Sequence, residues 1–284
     1  MGGLIRIASA EKSDFPALVR IWTASFDDTE RDVIRFLNFF YSPGSSLLLF
    51  ENGKPAAAAH LISGSAVAGL IGPDGLPMRK PEITCAYLYA VGVLPEFRGR
   101  GYGAAVSRRA AEHSRETGAD ICVTVPADSG LYKFYKKNAG FETAFYAKTV
   151  DARLCGNTDG YSVLSISPDE YSDRRENLLA GRPHLRYAPR WSEYFTTICG
   201  AGGGLFEIKD HSTGEAALAA VESDMDRVIL KELLCRGGTK KFLEAAAGFF
   251  HKSRVTARLP GGNEPFAMAS QALSRSVYWG IAFD

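Results

Sequence analysis

Hydrophobic positions along this chain alternate between helical and strand spacing, and each switch marks an element. Apolar residues at helical spacing predict a helix from a Ser13 cap to about Phe26. A second helix, capped by Asp27 or Asp28, runs from Thr29 to Tyr41 and is stopped by Ser42-Pro43-Gly44. Leu47 to Glu51, then Asn52-Gly53, then Pro55 onward reads as a hairpin, because Asn-Gly supplies positive φ at both turn positions. Gly72 to Lys80 is a second turn region, and Ile83 to Val93 a long strand. Tyr102 to about Thr117 is a helix closed by Gly118. Ile121 to Val125 is a strand ended by Pro126. Asp128 or Ser129 caps a short helix to about Asn138, and Phe141 to Val150 is another strand. Two helices, a strand meander and then strand-helix-strand-helix-strand make an α/β arrangement on a mixed sheet.

Asp151 to Gly160 is polar and reads as a linker. The pattern then repeats. Leu205 to Lys209, Ala216 to Val221 and Arg227 to Cys235 form a meander, Thr239 to His251 a helix, Val255 to Leu259 a strand, and Tyr278 to Phe283 a final strand. Residues 1–150 and 161–284 are therefore expected to be two similar domains in tandem.

Composition narrows the classes. Apolar residues make up 46% of the 284 and formal net charge is +1. The chain can bury two cores, and it lacks the basic excess of a nucleic-acid platform. The five cysteines, at 85, 122, 155, 199 and 235, have no paired spacing. They read as buried thiols in a reducing cytoplasm, neither a disulfide frame nor a metal site. No segment is apolar and long enough to cross a membrane. MGGLIR has no signal core, and Arg6 stands where a myristoylation signal needs Ser or Thr.

The chemistry concentrates where the long strand meets its helix. The loop Arg98-Gly99-Arg100-Gly101-Tyr102-Gly103 opens directly into a helix N-terminus. Amides with little side chain in the way, two arginines and the helix dipole converge on a site for an anionic group such as a pyrophosphate. Gly92 interrupts a β-forming run, where glycine marks a bulge or the close approach of another group. A bulge would splay the strand and free its amides.

Together, the loop, Val93-Leu94-Pro95-Glu96-Phe97 before it and the Gly140-Phe141 end of the following helix resemble the GCN5-related N-acetyltransferase (GNAT) family, whose signature is Arg/Gln-x-x-Gly-x-Gly/Ala after a strand. The resemblance covers about residues 3 to 150. It implies a GNAT-like fold, with the second domain a degenerate copy that lacks the phosphate loop. It also implies transfer of an acetyl group from acetyl-CoA, with no metal, to a primary amine of a small molecule or peptide. Arg98, Gly99, Arg100, Gly101, Tyr102, Gly103 and Ala104 would hold the pyrophosphate, Val91, Gly92 and Val93 the pantetheine, and Ser129 would add a contact from the next helix. The family often places a tyrosine on that helix to serve the departing thiolate. Tyr135 stands there, five residues before Gly140 where four are usual, with Tyr132 in reserve.

The amine must also lose a proton. Glu82 is the nearest carboxylate to the long strand, and His60 lies in an apolar run. Both fit ordinary structural roles, which leaves deprotonation through water. The helical spacing of Phe36, Phe39, Phe40 and Tyr41 fits core packing better than an acceptor pocket. Two other readings remain: a dinucleotide-binding domain, with Asp128 as the ribose ligand, or a non-catalytic acyl-CoA sensor.

Overall fold

Residues 46–49, 56–62 and 121–124 are buried without alternation, as strands covered by helices on both faces must be. The computed structural model describes residues 4–68, 82–273 and 276–283. The expected turn at Gly72 to Lys80 lies outside them. The chain divides into two units that interleave in sequence. The first holds residues 4–66, 83–143 and 267–273; the second holds 67–68, 82, 144–266 and 276–283.

In the first unit, β1 (Ile5–Ser9), β2 (Ser46–Glu51), β3 (Lys54–Ala68), β4 (Ile83–Val93) and β5 (Ile121–Thr124) lie side by side in that order. The β2–β3 turn has Asn52 and Gly53 at φ 50° and 79°, as the Asn-Gly pair predicts. Helices α1 (Phe15–Thr23) and α2 (Glu30–Phe40) start later than expected. Pro16 belongs in a first turn, which moves the cap of α1 from Ser13 to Asp14. Thr29, not Asp27 or Asp28, caps α2 by accepting from the Asp32 amide. Asp28 instead accepts the Trp22 indole N–H at 2.7 Å.

Leu47, Leu49, Ala57, Ala59, Ala86 and Leu88 pack against Val106 and Ala110 of α3 (Tyr102–Glu116) and Tyr135 of α4 (Ser129–Ala139). The other face meets α1 and α2, where Trp22 and Phe36 pack tilted or edge-on against His60 and Tyr89. Met268 and Ala269, the last pair on a strand that begins at Arg254, lie antiparallel to Thr124 and Val123 of β5. A cut at residue 150 therefore does not separate the units: a segment far along the chain completes the first sheet.

The expected linker is not free either. Strand β6 (Glu142–Arg153) runs through its start. Asp151 pairs with Arg254 at 2.8 Å, and the Asn157 amide donates to the Glu244 carbonyl. Both contacts lie within the second unit. That unit orders β7 (Tyr161–Ser165), β9 (Gly204–Asp210), β10 (Ala216–Ser223), β11 (Arg227–Cys235) and β12 (Arg254–Ala269), and β8 (His184–Arg186) lies between two helices in sequence. Helices α5 (Pro168–Leu179) and α6 (Pro189–Ile198) precede the meander, and α7 (Thr239–Phe249) links β11 to its parallel neighbour β12. The element order repeats that of the first unit, where β4 and β5 are likewise parallel.

The expected last strand is absent. Val277 and Tyr278 make isolated bridges, and the Gly280 and Ile281 amides donate to the Tyr187 hydroxyl instead of a neighbouring strand. Of the cysteines, Cys85, Cys122 and Cys199 are buried and Cys235 partly so, but Cys155 is exposed.

Candidate active site

Strands β4 and β5 pair in parallel only from Cys85–Ile121 to Tyr87–Val123. Beyond that, Thr124 Oγ1 donates to the Leu88 carbonyl at 3.0 Å and the strands part. Just past the fork, Ala90 takes φ 47°. The facing pattern slips at the same point. Ala86 and Leu88 face α3, but so do Val91 and Val93, so one residue between them is bulged. Ala90, not Gly92, is therefore the bulge. Gly92 serves the close approach of α1: a Cβ there would lie 2.8 Å from Ser25 Oγ and 3.1 Å from Ile21 Cγ2.

The strand ends at Val93, and a 3-10 turn (Pro95–Phe97) leads to the loop. Gly99 and Gly101 hold φ 77° and 79°, and nothing lies within 4 Å of where a Cβ would stand on either. Gly101 caps α3 with no side-chain acceptor. Among the described residues, no protein acceptor takes the amides of Gly99, Arg100, Gly101, Tyr102, Gly103 or Ala104. Such a run of unpaired donors at a helix N-terminus is chemically suited to an anion, toward which the dipole adds about 0.3–1 kcal/mol.

The two arginines do not converge on it. Arg98 donates to the carbonyls of Val93 (3.1 Å) and Ala24 (3.0 Å). Arg100 donates to Glu51 at 2.7 Å and to the Glu96 carbonyl at 3.0 Å. Carbonyl and carboxylate acceptors close at hand draw both guanidinium groups back onto the frame. The side chain of Tyr102 also turns inward: it is buried, and its hydroxyl donates to Glu51 at 2.5 Å. Glu51 had no mark in the sequence beyond ending a strand.

Tyr135 points from α4 into the core beside β5, only 7% exposed, with Phe141 at 5.7 Å and the Thr124 side chain within hydrogen-bonding reach. Burial pushes its phenol up to about 12. The extra residue before Gly140 is absorbed in a widened last turn, where the Gly140 and Phe141 amides both reach the Tyr135 carbonyl. Tyr132 lies half-buried at the edge of the same core. Ser129 is exposed at the start of α4. Asp128 accepts from the Gly130 and Leu131 amides through Oδ1 and so caps that helix.

Neither base candidate joins the site. Glu82 belongs to the second unit and pairs with Arg186. His60 is 1% exposed, bonded through Nδ1 to Ser46 at 2.9 Å, and desolvation lowers it to about 3, so it stays neutral. Phe36 is buried core, and the Tyr41 hydroxyl is taken by the Ala10 carbonyl.

A forked parallel pair with an amide-lined helix N-terminus at its mouth suits a ligand that carries an anionic group. Residues 7–141 match the model of the acetyltransferase (GNAT) family. The first unit therefore carries an acetyltransferase domain of that family, a class whose cosubstrate is acetyl-CoA. The fold agrees with solved structures of similar proteins. A GCN5-related N-acetyltransferase from Anabaena variabilis aligns with TM-score 0.66 at 15% identity, covering 94% of this chain and 72% of that one. One from Kribbella flavida aligns with TM-score 0.64 at 17% identity, covering 94% and 71%. One from Sphaerobacter thermophilus aligns with TM-score 0.54 at 14% identity, covering 93% and 95%. No curated protein matches the sequence.

Proposed function

We propose that the first unit transfers the acetyl group of acetyl-CoA to a primary amine by direct attack. The observation that carries this reading is the run of unpaired amides from Gly99 to Ala104 beside a fork in the sheet. The cosubstrate supplies an activated acetyl thioester. The loop amides hold its pyrophosphate, and the edge of β4 from Val91 to Val93, which has no β5 residue opposite, offers backbone groups to the pantetheine. An amide at that edge stabilises the oxyanion. Tyr135, neutral because it is buried, donates to the departing sulfur. With no carboxylate on β4, the amine loses its proton through water.

The second unit is read as binding no CoA. Residues 236–238 alone join β11 to α7. At the α7 N-terminus Lys241 folds back, its Cε 2.8 Å from where a Gly238 Cβ would stand, and its Nζ pairs with Asp210 at 2.7 Å. Calorimetry with CoA tests both readings. One equivalent should bind per chain, and Gly101→Glu should abolish binding by placing bulk and negative charge in the cradle. Unchanged affinity in a folded Gly101→Glu protein, or NAD outcompeting CoA, would refute the first reading; two equivalents would refute the second.

A further inference from the structure

The arginine-glycine loop is shaped by a carboxylate that lies outside it. Glu51 closes β2, and its side chain is only 14% exposed. One oxygen accepts from the Tyr102 hydroxyl at 2.5 Å, the other from Arg100 at 2.7 Å. These bonds tie the first residue of α3 and the middle of the loop to one point on the sheet. Arg100 then reaches back to the Glu96 carbonyl, with its guanidinium over the Phe97 ring at 5.3 Å. Arg98 fixes the loop's start on Val93 and Ala24. Between these ties run the left-handed residues Gly99 and Gly101, with nothing within 4 Å of where a Cβ would stand on either and no protein acceptor on their amides among the described residues. Unrestrained, such a glycine loop populates many shapes, and ordering it on binding would cost affinity.

We propose that Glu51 is a positioning residue for the acetyl-CoA cradle, holding Arg100 and Tyr102 so that the loop amides are set before the anion arrives. Arg100 thereby serves as frame, not as a phosphate ligand. This rests on the loop being the CoA site. It makes a prediction of unusual sign. By charge alone, removing a carboxylate beside an anion site tightens binding. If Glu51 positions the loop, removing it weakens binding.

The test is CoA calorimetry on the full chain, with steady-state kinetics alongside. Glu51→Gln should weaken CoA about tenfold and raise the acetyl-CoA KM to match, while kcat moves less than about twofold. Tyr102→Phe, which changes no charge and keeps the ring, should weaken CoA in the same direction. Arg100→Gln should bind more weakly too, because the loop loses its tie to Glu51. Equal or tighter CoA binding by folded Glu51→Gln overturns the inference even if Gly101→Glu behaves as expected. Wild-type protein that binds no CoA, or normal binding by Gly101→Glu, overturns the loop assignment and this inference with it.

Discussion

Replacing Tyr135 by Phe removes one hydroxyl at the fork between β4 and β5 and leaves the ring packed on Phe141. The structure bounds what that hydroxyl does. Its phenol is pushed up to about 12, whereas a CoA-like thiol sits near 8.5. Full proton transfer to the thiolate would be uphill by roughly 3.5 units, or about 5 kcal/mol. That is too steep for Tyr135 to act as a simple acid, and it leaves the role of hydrogen-bond donor to developing negative charge. Such a bond is worth about 1.5–3 kcal/mol, so Tyr135→Phe should lower kcat by about 10- to 150-fold. CoA affinity by calorimetry should barely move, because the loop does not touch this group. Thiol release from acetyl-CoA gives the rate. The pH profile adds a second readout. A phenol at about 12 stays protonated through pH 10, so any alkaline fall in kcat below that pH belongs to another group and should persist in the variant. Full activity in Tyr135→Phe, or an alkaline limb that vanishes with the hydroxyl, would refute this account. Loss of activity in Tyr132→Phe instead would move the role to Tyr132.

Two further outcomes follow from buried groups. His60 takes up a proton near 6.5 when unfolded but only near 3 when folded, so the unfolded chain binds more protons between those values and stability falls as pH drops through that window. From pH 6.5 to 5 this amounts to about 1–2 kcal/mol. Urea melts of His60→Leu should show a correspondingly shallower loss over that range, and identical slopes would rule the linkage out. In the second unit, Arg175 and Glu232 are buried and joined by two bonds of 2.8 and 3.2 Å, with the Tyr171 hydroxyl on the same carboxylate. Arg175→Met leaves that carboxylate buried without its cation and should destabilise by about 3–5 kcal/mol. A loss below 1 kcal/mol in melts followed by fluorescence of Trp191 and Trp279, both in that unit, would contradict it.

What the sequence determined by itself were the features with local causes. Asn52-Gly53 sets its hairpin because few other pairs tolerate two positive φ values. Asp128 caps α4 through amides two and three residues away. Gly99 and Gly101 free a helix N-terminus whatever lies around them. Those features, together with the order of helices and strands, were enough to single out the glycine loop and the family resemblance. The tertiary structure decided everything that needed a partner from afar. Arg98 and Arg100 looked like anion ligands until Ala24 and Glu51 supplied acceptors. Gly92 could mark a bulge or a close approach until α1 packed over it and the irregularity fell on Ala90. The polar stretch after Asp151 looked free until Arg254 and Glu244 engaged it, and a cut at residue 150 failed because Met268 pairs with Thr124. An ion pair or a sheet edge is satisfied by whichever group the fold brings within about 3 Å, and chain order does not record that distance.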